Sequence, residues 1–243
     1  MDALQEVAEW LEPSQKIAVI TGAGMSTESG IPDFRSAKGL YNEQTNKGVP
    51  MEEVLSRSFF DEYPREFYRI YKEKLLYPQA LPNKGHHFLK HLEDIGYDVT
   101  IITQNIDGLH QKAGSRNVLE LHGNANNVIT QSGAMGRFDE TSLNKEGLSF
   151  DGEWARPAIT LYGEALDTDV LNKSIQALKT ADILFVMGTS LNVYPAAGLI
   201  YDYTGSKSAL ITKGATPLNT YFDFVFDETI SGWVDALSAR LSG

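Results

Sequence analysis

The stretch KIAVITGAGMSTESGIPDFRS, at residues 16–36, decides the fold. Its first six residues form a short apolar, β-branched run, which is typical of a strand buried on both faces of a parallel sheet. Gly22 and Gly24 follow directly. Glycines at this point let the backbone approach a pyrophosphate, which the N–H groups of the following turn can bind. The stretch therefore predicts a strand followed by a phosphate-binding turn.

The glycine turn differs from the fingerprint of hydride-transferring dehydrogenases. That fingerprint needs a Gly or Ala where this chain has Thr27, and an acidic residue that ends a second strand about 20 residues further on. Neither feature is evident, which disfavours a dehydrogenase. A tight turn that binds no ligand is the structural alternative for this fragment, because glycines are common in turns.

Short apolar runs and longer amphipathic segments alternate along the rest of the chain. We predict further strands at residues 98–103, 117–121, 183–187, 209–212 and 222–226. Apolar spacing close to 3.6 residues predicts helices at residues 3–11, 67–76, 85–95, 170–179 and 233–241. Asp167 or Thr168 is expected to cap the fourth of these helices. The alternation predicts an α/β fold with a Rossmann-like, doubly wound parallel sheet.

Two regions interrupt this alternation. Residues 31–49 are rich in Gly, Asn and Lys and indicate a long loop of the kind that often serves as a lid. Residues 124–153 are mostly polar and indicate an excursion from the sheet into a small inserted lobe. We expect a single domain over residues 1–243, with a large lobe at 1–30, 80–123 and 165–243 and a small lobe at 31–79 and 124–164.

The composition excludes several classes of protein. The chain has 243 residues, a formal net charge of −11 and no cysteine. It therefore holds no disulfide, thiol nucleophile, Fe–S cluster or cysteine-ligated zinc. The acidic charge argues against nucleic acid as a partner. The chain lacks an apolar run long enough to span a membrane, and its first residues do not resemble a secretory signal, so we expect a cytoplasmic protein without a membrane partner.

Polar side chains follow the strand predicted at residues 98–103. Asn105 and Asp107 lie at a strand end, where α/β folds place ligand contacts. An amide offers a donor and an acceptor, and a carboxylate offers two acceptor oxygens, which suits ribose hydroxyls and a carboxamide. The alternative is an Asx-turn that simply ends the strand.

Histidines provide one candidate base and no metal site. His122 follows the strand predicted at 117–121, and an imidazole with an ordinary pKa near 6.5 can accept a proton at neutral pH. The alternative is a capping or core histidine. His87 and His91 are four residues apart on a predicted helix, but no third ligand is evident, so we expect no metal there.

Several motifs together resemble those of the sirtuins, the NAD-dependent protein-lysine deacylases. They are GAGMSTESGIPDFRS at 22–36, TQNIDGLH at 103–110, the pair His122-Gly123, RPAITLYGEAL at 156–166 and GTSLNVYPAAGL at 188–199. They occur in the family's order and spacing, and the resemblance extends from about residue 14 to about residue 240. The chain is thus identified as a bacterial-type member of this family.

The resemblance implies roles for individual residues. His122 is the implied general base, and Asn105 is implied to orient the water or the ribose. The implied NAD contacts are Gly22, Ala23, Gly24, Thr27, Ile31, Asp33, Phe34, Arg35, Gln104, Asn105, Ile106, Asp107, Gly188, Thr189, Ser190, Thr212 and Ile230. The implied substrate contacts are Tyr68, Tyr71, Gly163, Glu164 and Val193, the last three pairing with the acyl-lysine peptide as an added strand.

The resemblance also implies a reaction. The acyl oxygen of a modified lysine attacks the ribose C1′ of NAD, and nicotinamide leaves. His122 then deprotonates a ribose hydroxyl. The implied products are free lysine, nicotinamide and O-acyl-ADP-ribose. Two other functions stay open: an ADP-ribosyltransferase or NAD glycohydrolase, and a non-catalytic module that binds NAD or ADP-ribose.

The chain departs from the family's pattern at two places. Many sirtuins hold a structural zinc with two CxxC pairs, whose positions fall here on Thr130, Gly133, Leu148 and Asp151. We therefore expect a zinc-free small lobe packed around Phe138, Leu143, Leu148, Phe150 and Trp154, the alternative being a partly disordered lobe. Desuccinylating relatives have a Tyr-x-x-Arg pair, but here Tyr71 replaces the Arg that would clamp a carboxylate, which favours neutral acyl groups such as acetyl.

Overall fold

The computed structural model describes residues 2–12, 14–33, 49–143, 147–214 and 216–241. In chain order the strands are β1 (Lys16–Thr21), β2 (Asp98–Thr103), β3 (Val118–Glu120), β4 (Gly123–Thr130), β5 (Met135–Arg137), β6 (Ser142–Leu143), β7 (Leu148–Phe150), β8 (Glu153–Ile159), β9 (Ile183–Met187), β10 (Ser208–Ile211) and β11 (Phe224–Phe226). The helices are α1 (Ala3–Trp10), α2 (Met51–Val54), α3 (Arg57–Glu62), α4 (Pro64–Lys74), α5 (Lys84–Asp94), α6 (Leu109–Lys112), α7 (Thr168–Thr180) and α8 (Ile230–Leu241).

The larger sheet confirms the predicted α/β architecture. Six parallel strands lie in the order β11-β10-β9-β1-β2-β3. β1 lies in the middle and is buried on both faces, as its apolar run indicates. Ile17 and Val19 pack into one core with α1, α5 and α8. Ala18 and Ile20 pack into a second core on the opposite face, with α7 and the 3-10 helix at Ala196–Asp202.

The strand order places three loops side by side. From β1 the chain continues to β2 on one side, and β9 later pairs on the other side. Thr21 is in register with both Thr103 and Met187, so β1, β2 and β9 end at the same level. Ligands bind in α/β sheets at such a switch point, beyond the carboxyl ends of the strands.

Helix boundaries agree with the predicted ones to within three residues. α4 begins at Pro64, whose fixed φ suits the first position of a helix, and α8 begins at Ile230. The predicted cap is confirmed, because the Asp167 side chain accepts a hydrogen bond from the N–H of Val170 at 2.9 Å. Within the described part of the chain, none of the helices has the length and apolarity that crossing a membrane requires.

The strands β4 to β8 form a second, antiparallel sheet in the order β5-β4-β8-β7-β6. This sheet shares one hydrophobic core with α2, α3 and α4. Phe60, Phe67 and Tyr68 from the helices pack edge to face in that core, beside Val128 and Leu148 from the sheet. The polar composition of residues 124–153 does not predict this shared core, because about half of its buried residues come from helices that are distant in sequence.

The core predicted for the small lobe needs two corrections. Phe138 and Leu148 are buried, and Phe150 is half-buried with its ring over Gly136, where a Cβ would lie 2.3 Å from it. Leu143 and Trp154, in contrast, are 42% and 39% exposed. Leu143 lies on β6, the edge strand of this sheet, so no further strand of the sheet lies on its outer side.

The structure describes all four positions at which the resemblance implies zinc ligands in many sirtuins. Thr130 closes a tight turn, because its backbone N–H donates to Ala134 O at 2.9 Å and its Oγ1 accepts from Ala134 N at 3.0 Å. Gly133 lies in this turn with φ of +87°. Asp151 and Gly152 form a two-residue hairpin turn with φ of +50° and +81°, as hairpins prefer. Among the described residues, no group of three or more His, Asp or Glu side chains could hold a metal ion.

Candidate functional site

A cavity of about 800 Å³ lies at the carboxyl ends of β1, β2 and β9. This volume is in the range of ligand and cofactor sites. The loops after these three strands form one part of its lining, and residues 159–166 form another. Thr212 directly follows β10 and Ile230 begins α8, and both residues also line the cavity. The cavity is therefore located where the topology predicts a ligand.

The glycines after β1 and β9 let two loops pack against each other. Gly24 N donates to Gly188 O at 2.8 Å. A Cβ on Gly24 would lie 2.8 Å from that oxygen, and one on Gly188 would lie 2.2 Å from Met25 N. Gly188 also has φ of +64°, which disfavours any side chain. The close contact between the two loops thus requires glycine at both positions. This is a second reason for the glycines, in addition to the expected approach of a ligand to the backbone.

Asn105 is held at the bottom of the cavity by three hydrogen bonds. Its backbone N–H donates to Thr103 Oγ1 at 3.0 Å. Its Nδ2 donates to Gly22 O at 3.0 Å and to Ser26 Oγ at 3.1 Å. The side chain therefore bonds across to the loop after β1, and it does not form the Asx-turn that was the alternative. Both Nδ2 hydrogens are used, which leaves Oδ1 as the atom with capacity for a ligand.

Asp107 does form such a turn. Its Oδ1 accepts a hydrogen bond from Leu109 N at 2.8 Å, and its Oδ2 accepts one from the Ser26 hydroxyl at 2.7 Å. Burial raises the pKa of this carboxyl, and the two hydrogen bonds oppose that effect. Asp107 lines a small pocket of about 30 Å³ together with Ile31. Ala23, Asn105 and Ile106 line both this pocket and the large cavity.

His122 lines the large cavity as a neutral base. Its Nδ1 is 2.9 Å from Gln104 O. A carbonyl oxygen only accepts, so Nδ1 carries the hydrogen and Nε2 keeps a free lone pair. Burial lowers the pKa of His122, and the hydrogen bond to Gln104 opposes the shift only in part. The ring is therefore neutral at pH 7 and can accept a proton at Nε2.

An apolar segment next to His122 also lines the cavity, and its Thr160 N donates to His122 O at 3.0 Å. Ile159 and Leu161 line it, and Leu55 and Leu166 add further apolar surface. The backbone bends sharply at Gly163, where φ is +92°. Glu164 fixes this bend, because its carboxylate accepts from Arg156 Nη1 and Nη2 at 2.5 and 2.9 Å and from Leu161 N at 2.9 Å. Burial opposes ionisation, but these bonds lower the pKa of Glu164 to about 2.

The chain matches known proteins along most of its length. The model of the Sir2 family matches residues 22–195. The chain belongs to the Sir2 family. A protein of Clostridium perfringens named NAD-dependent protein deacetylase is 44% identical over an alignment of 235 positions, and the match covers 94% of this chain and 96% of that protein. A protein of the same name from Clostridium tetani is 43% identical over an alignment of 245 positions, and the match covers 99% of each chain.

Solved Sir2 structures share the fold. A Sir2 structure with a p53 peptide and NAD⁺ has a TM-score of 0.80 and 31% identity, and the match covers 99% of this chain and 98% of that chain. A Sir2 structure with a deacetylated p53 peptide and 3′-O-acetyl ADP-ribose has a TM-score of 0.82 and 31% identity, with 98% of each chain covered. The Rossmann-like sheet and the separate antiparallel sheet are therefore those of Sir2 proteins.

Most of the residues that the sequence assigns to the Sir2 site line the two pockets. The large cavity is lined by Gly22, Ala23, Gly24, Thr27, Asp33, Gln104, Asn105, Ile106, His122, Gly163, Glu164, Gly188, Thr189, Ser190, Val193, Thr212 and Ile230. Ile31 and Asp107 line the small pocket. Phe34 and Arg35 lie outside the described residues.

Tyr68 and Tyr71, which the resemblance implies as substrate contacts, lie in the core of the small lobe. Both side chains are at most 1% exposed, and neither lines the cavity. Tyr68 donates its hydroxyl hydrogen to Ala155 O at 3.2 Å, and Tyr71 donates to Ala125 O at 2.9 Å. They join α4 to the antiparallel sheet and are core residues, and their role as substrate contacts stays a prediction.

Sequence reasoning missed several residues of this Sir2 site. Ser26 lies inside the first motif and bonds to both Asn105 and Asp107, so its position in the motif could have revealed it. Leu55 carries no comparable signal, because only the packing of α2 against residues 159–162 brings it to the cavity. The other missed residues that line the large cavity are Glu28, Ile159, Thr160, Leu161, Tyr162, Leu166, Tyr194, Pro195, Lys213, Glu228 and Thr229.

Proposed function

We propose that this chain is an NAD-dependent protein-lysine deacylase that transfers the acyl group to ADP-ribose and releases nicotinamide. The observation that carries the proposal is His122. Its Nδ1 is anchored on Gln104 O, its Nε2 is free to accept a proton, and the ring lines the same cavity as Asn105. The names of the two clostridial relatives and the solved Sir2 complexes support the same activity.

The lining of the cavity fits NAD by volume and by chemistry. Hydroxyls of Thr27, Thr189 and Ser190 and the amide of Gln104 offer donors and acceptors suited to ribose and phosphate. We assign Thr212 and Ile230 to the adenosine end, and the small pocket beside Ile31 to the nicotinamide end. Bound NAD supplies a ribose carbon with a good leaving group and a hydroxyl that can receive the acyl group.

His122 and Asn105 have different roles at the nicotinamide ribose of NAD. His122 accepts the proton of a ribose hydroxyl at Nε2, and Gln104 O keeps the ring oriented through Nδ1. Asn105 offers its Oδ1, because its Nδ2 is committed to Gly22 O and Ser26 Oγ. Both side chains are held before any ligand binds, which is the preorganisation that catalysis needs.

The acyl group is a neutral one, such as acetyl. Leu55, Ile159, Leu161 and Leu166 give part of the cavity an apolar lining. Among the described lining residues the only cation is Lys213, which follows β10 and is separated from β2 by β9 and β1. A dicarboxylic acyl group needs a paired cation when it is buried, and these residues offer it none.

The small lobe is stable without a metal. Packing of Val128, Phe138 and Leu148 against the aromatic residues of α3 and α4 provides its core. One hydrogen bond links the two hairpin tips, since Ser132 N donates to Glu153 Oε2 at 3.3 Å. Within the first tip, Ser132 Oγ is 2.9 Å from Thr130 Oγ1. Thr130 and Leu148, two of the positions at which the resemblance implies zinc ligands in many sirtuins, take part in these contacts.

The experiment that tests the proposal compares acyl groups and two histidine variants. The protein is incubated with NAD and with acetyl-, butyryl- or succinyl-lysine peptides, and the products are followed by mass spectrometry. We expect O-acyl-ADP-ribose from the neutral acyl groups with the wild type and none with His122→Ala. His91→Ala, which alters an exposed histidine of α5, is the matched control and keeps full activity. Loss of NAD without deacylated peptide would instead indicate NAD hydrolysis.

A further inference from the structure

Two buried histidines have no place in the proposed chemistry. His86 on α5 and His110 on α6 are 0% and 1% exposed. Their ring centroids are 4.8 Å apart, with an angle of 55° between the planes. One ring nitrogen of each, Nε2 of His86 and Nδ1 of His110, is buried with no hydrogen-bond partner among the described residues. Buried polar atoms are normally paired, so two adjacent orphans need an explanation.

The contacts of His86 define its protonation state. The backbone N–H of Asn83 donates to His86 Nδ1 at 3.2 Å, as part of the cap of α5. An atom that accepts a hydrogen bond carries no hydrogen, so a neutral His86 carries its hydrogen on Nε2. The orphan nitrogen of His86 is therefore a donor.

The contacts of His110 give the complementary result. Thr21 Oγ1 donates its one hydrogen to Thr103 Oγ1 at 2.8 Å, and it lies 3.0 Å from His110 Nε2. With its hydrogen used, Thr21 can only accept from His110, so Nε2 of His110 carries the hydrogen and Nδ1 carries the lone pair. The orphan nitrogen of His110 is therefore an acceptor.

We propose that His86 and His110 form one hydrogen-bonded pair, in which Nε2–H of His86 donates to Nδ1 of His110, and that this pair positions Asn105. Ring nitrogens lie off the ring centres, so centroids 4.8 Å apart allow a nitrogen–nitrogen hydrogen bond once the two atoms face each other. Both residues are positioning residues, because neither lines the cavity.

The pair completes a chain of hydrogen bonds that encloses the loop after β1. At one end, Asn83 Nδ2 donates to Met25 O at 2.8 Å and to Ser29 Oγ at 3.0 Å. At the other end, Thr103 Oγ1 accepts from Asn105 N at 3.0 Å. Asn105 then returns to the same loop through Gly22 O. The histidine pair thus closes the link between the cofactor loop and the residue proposed to orient the reactants.

Burial keeps both imidazole rings neutral, which is the state that the chain of hydrogen bonds requires. It lowers the pKa of His86 to about 4 and that of His110 to about 3, and in each case a neighbouring histidine adds to the shift. Both rings are therefore neutral across the working range of pH, and each can act as a donor at one nitrogen and an acceptor at the other.

The first test is spectroscopic and needs no turnover. In the full-length protein labelled with ¹⁵N-histidine, two-bond ¹H–¹⁵N correlation spectra report the tautomer of each ring. We expect both rings to be neutral with hydrogen on Nε2, and the His86 Nε2 proton to show a coupling to His110 Nδ1. A His110 ring with hydrogen on Nδ1, or a His86 Nε2–H without that coupling, would overturn the pair.

The second test concerns positioning, and this part of the inference rests on the proposed function. His110→Phe fills the space but removes the hydrogen bonds, whereas His110→Gln keeps an N–H donor close to the Nε2 position. For variants with wild-type circular dichroism, we expect kcat to fall at least about tenfold in His110→Phe and to recover in large part in His110→Gln. His91→Phe, at an exposed position of α5, is the control.

The outcomes separate the two hypotheses. An inactive wild type with the expected tautomers would contradict the proposed function and leave the pair intact. An active wild type with equal losses in His110→Phe and His110→Gln would show that ring packing alone matters, and this would overturn the positioning role. Normal kcat in a folded His110→Phe would overturn it as well.

Discussion

His122 Nδ1 lies 2.9 Å from Gln104 O, and this single contact determines which nitrogen of the ring is the base. Gln104 directly follows β2, so the last hydrogen bonds of the parallel sheet hold the acceptor oxygen in place. The histidine is oriented by backbone and not by a carboxylate, and burial keeps it neutral.

The lowered pKa of His122 predicts the pH dependence of activity. A base acts only when it is unprotonated, so activity falls as the pH drops through the pKa of His122. Because burial places that pKa below the ordinary value of 6.5, we expect the acid limb of kcat/KM to have its midpoint below pH 6.5. Initial rates between pH 5 and 9, at limiting peptide, measure it. A midpoint at pH 7 or above would mean that another group controls the limb.

Replacing Gly188 is expected to weaken NAD binding. In Gly188→Ala the new Cβ would lie 2.2 Å from Met25 N, so the loop after β1 has to move away from β9. We expect KM for NAD to rise at least about tenfold and the protein to lose about 1–3 kcal/mol of stability.

Gly152→Ala is the matched control for this variant. Gly152 also has a positive φ, of +81°, but a Cβ there would meet nothing within 4 Å, and the residue does not line the cavity. It is expected to lose some stability and to keep its KM for NAD. Equal effects of the two substitutions on KM would contradict the importance of the loop contact.

Tyr71→Phe is expected to lower stability without changing acyl preference. The substitution leaves Ala125 O without the hydroxyl that donates to it inside the core. Such a loss costs about 1–2 kcal/mol, which urea denaturation can measure. The ratio of acetyl to succinyl turnover should stay constant, because the side chain lies in the core. A changed ratio would restore Tyr71 as a substrate contact.

Chelation is expected to leave the small lobe intact. We propose that packing and the hydrogen bond between Ser132 N and Glu153 stabilise the lobe. Removal of metal ions is therefore not expected to destabilise it. We expect the same melting temperature with and without EDTA, and no stoichiometric zinc by elemental analysis. A melting temperature lowered by EDTA and restored by zinc would contradict a metal-free lobe.

The sequence predicts the large sheet better than the small lobe, for a physical reason. β1 and β9 are local apolar runs whose burial is visible in the residues themselves. The core of the small lobe depends on contacts between distant segments, such as Tyr71 with Ala125, and no local pattern encodes them. For the same reason an amphipathic helix such as α4 shows that Tyr68 and Tyr71 share a buried face, but not whether that face meets a substrate or a sheet.

The same distinction applies to the site. Motif residues that follow strand ends, such as Asn105 and Gly188, come together because parallel strands end at one edge. Leu55 lines the cavity because Ser56 pairs with Tyr162. This contact joins residues that are distant in sequence, so no local pattern predicts it.

The most direct test of the proposed deacylation follows the acyl group itself. A peptide that carries a ¹³C-labelled acetyl-lysine is reacted with NAD under single-turnover conditions, and the products are quantified by mass spectrometry. We predict that all of the label appears in O-acetyl-ADP-ribose, with one nicotinamide and one free lysine for each labelled product. Labelled free acetate formed without consumption of NAD, or nicotinamide released while the peptide keeps its label, would contradict the proposed function.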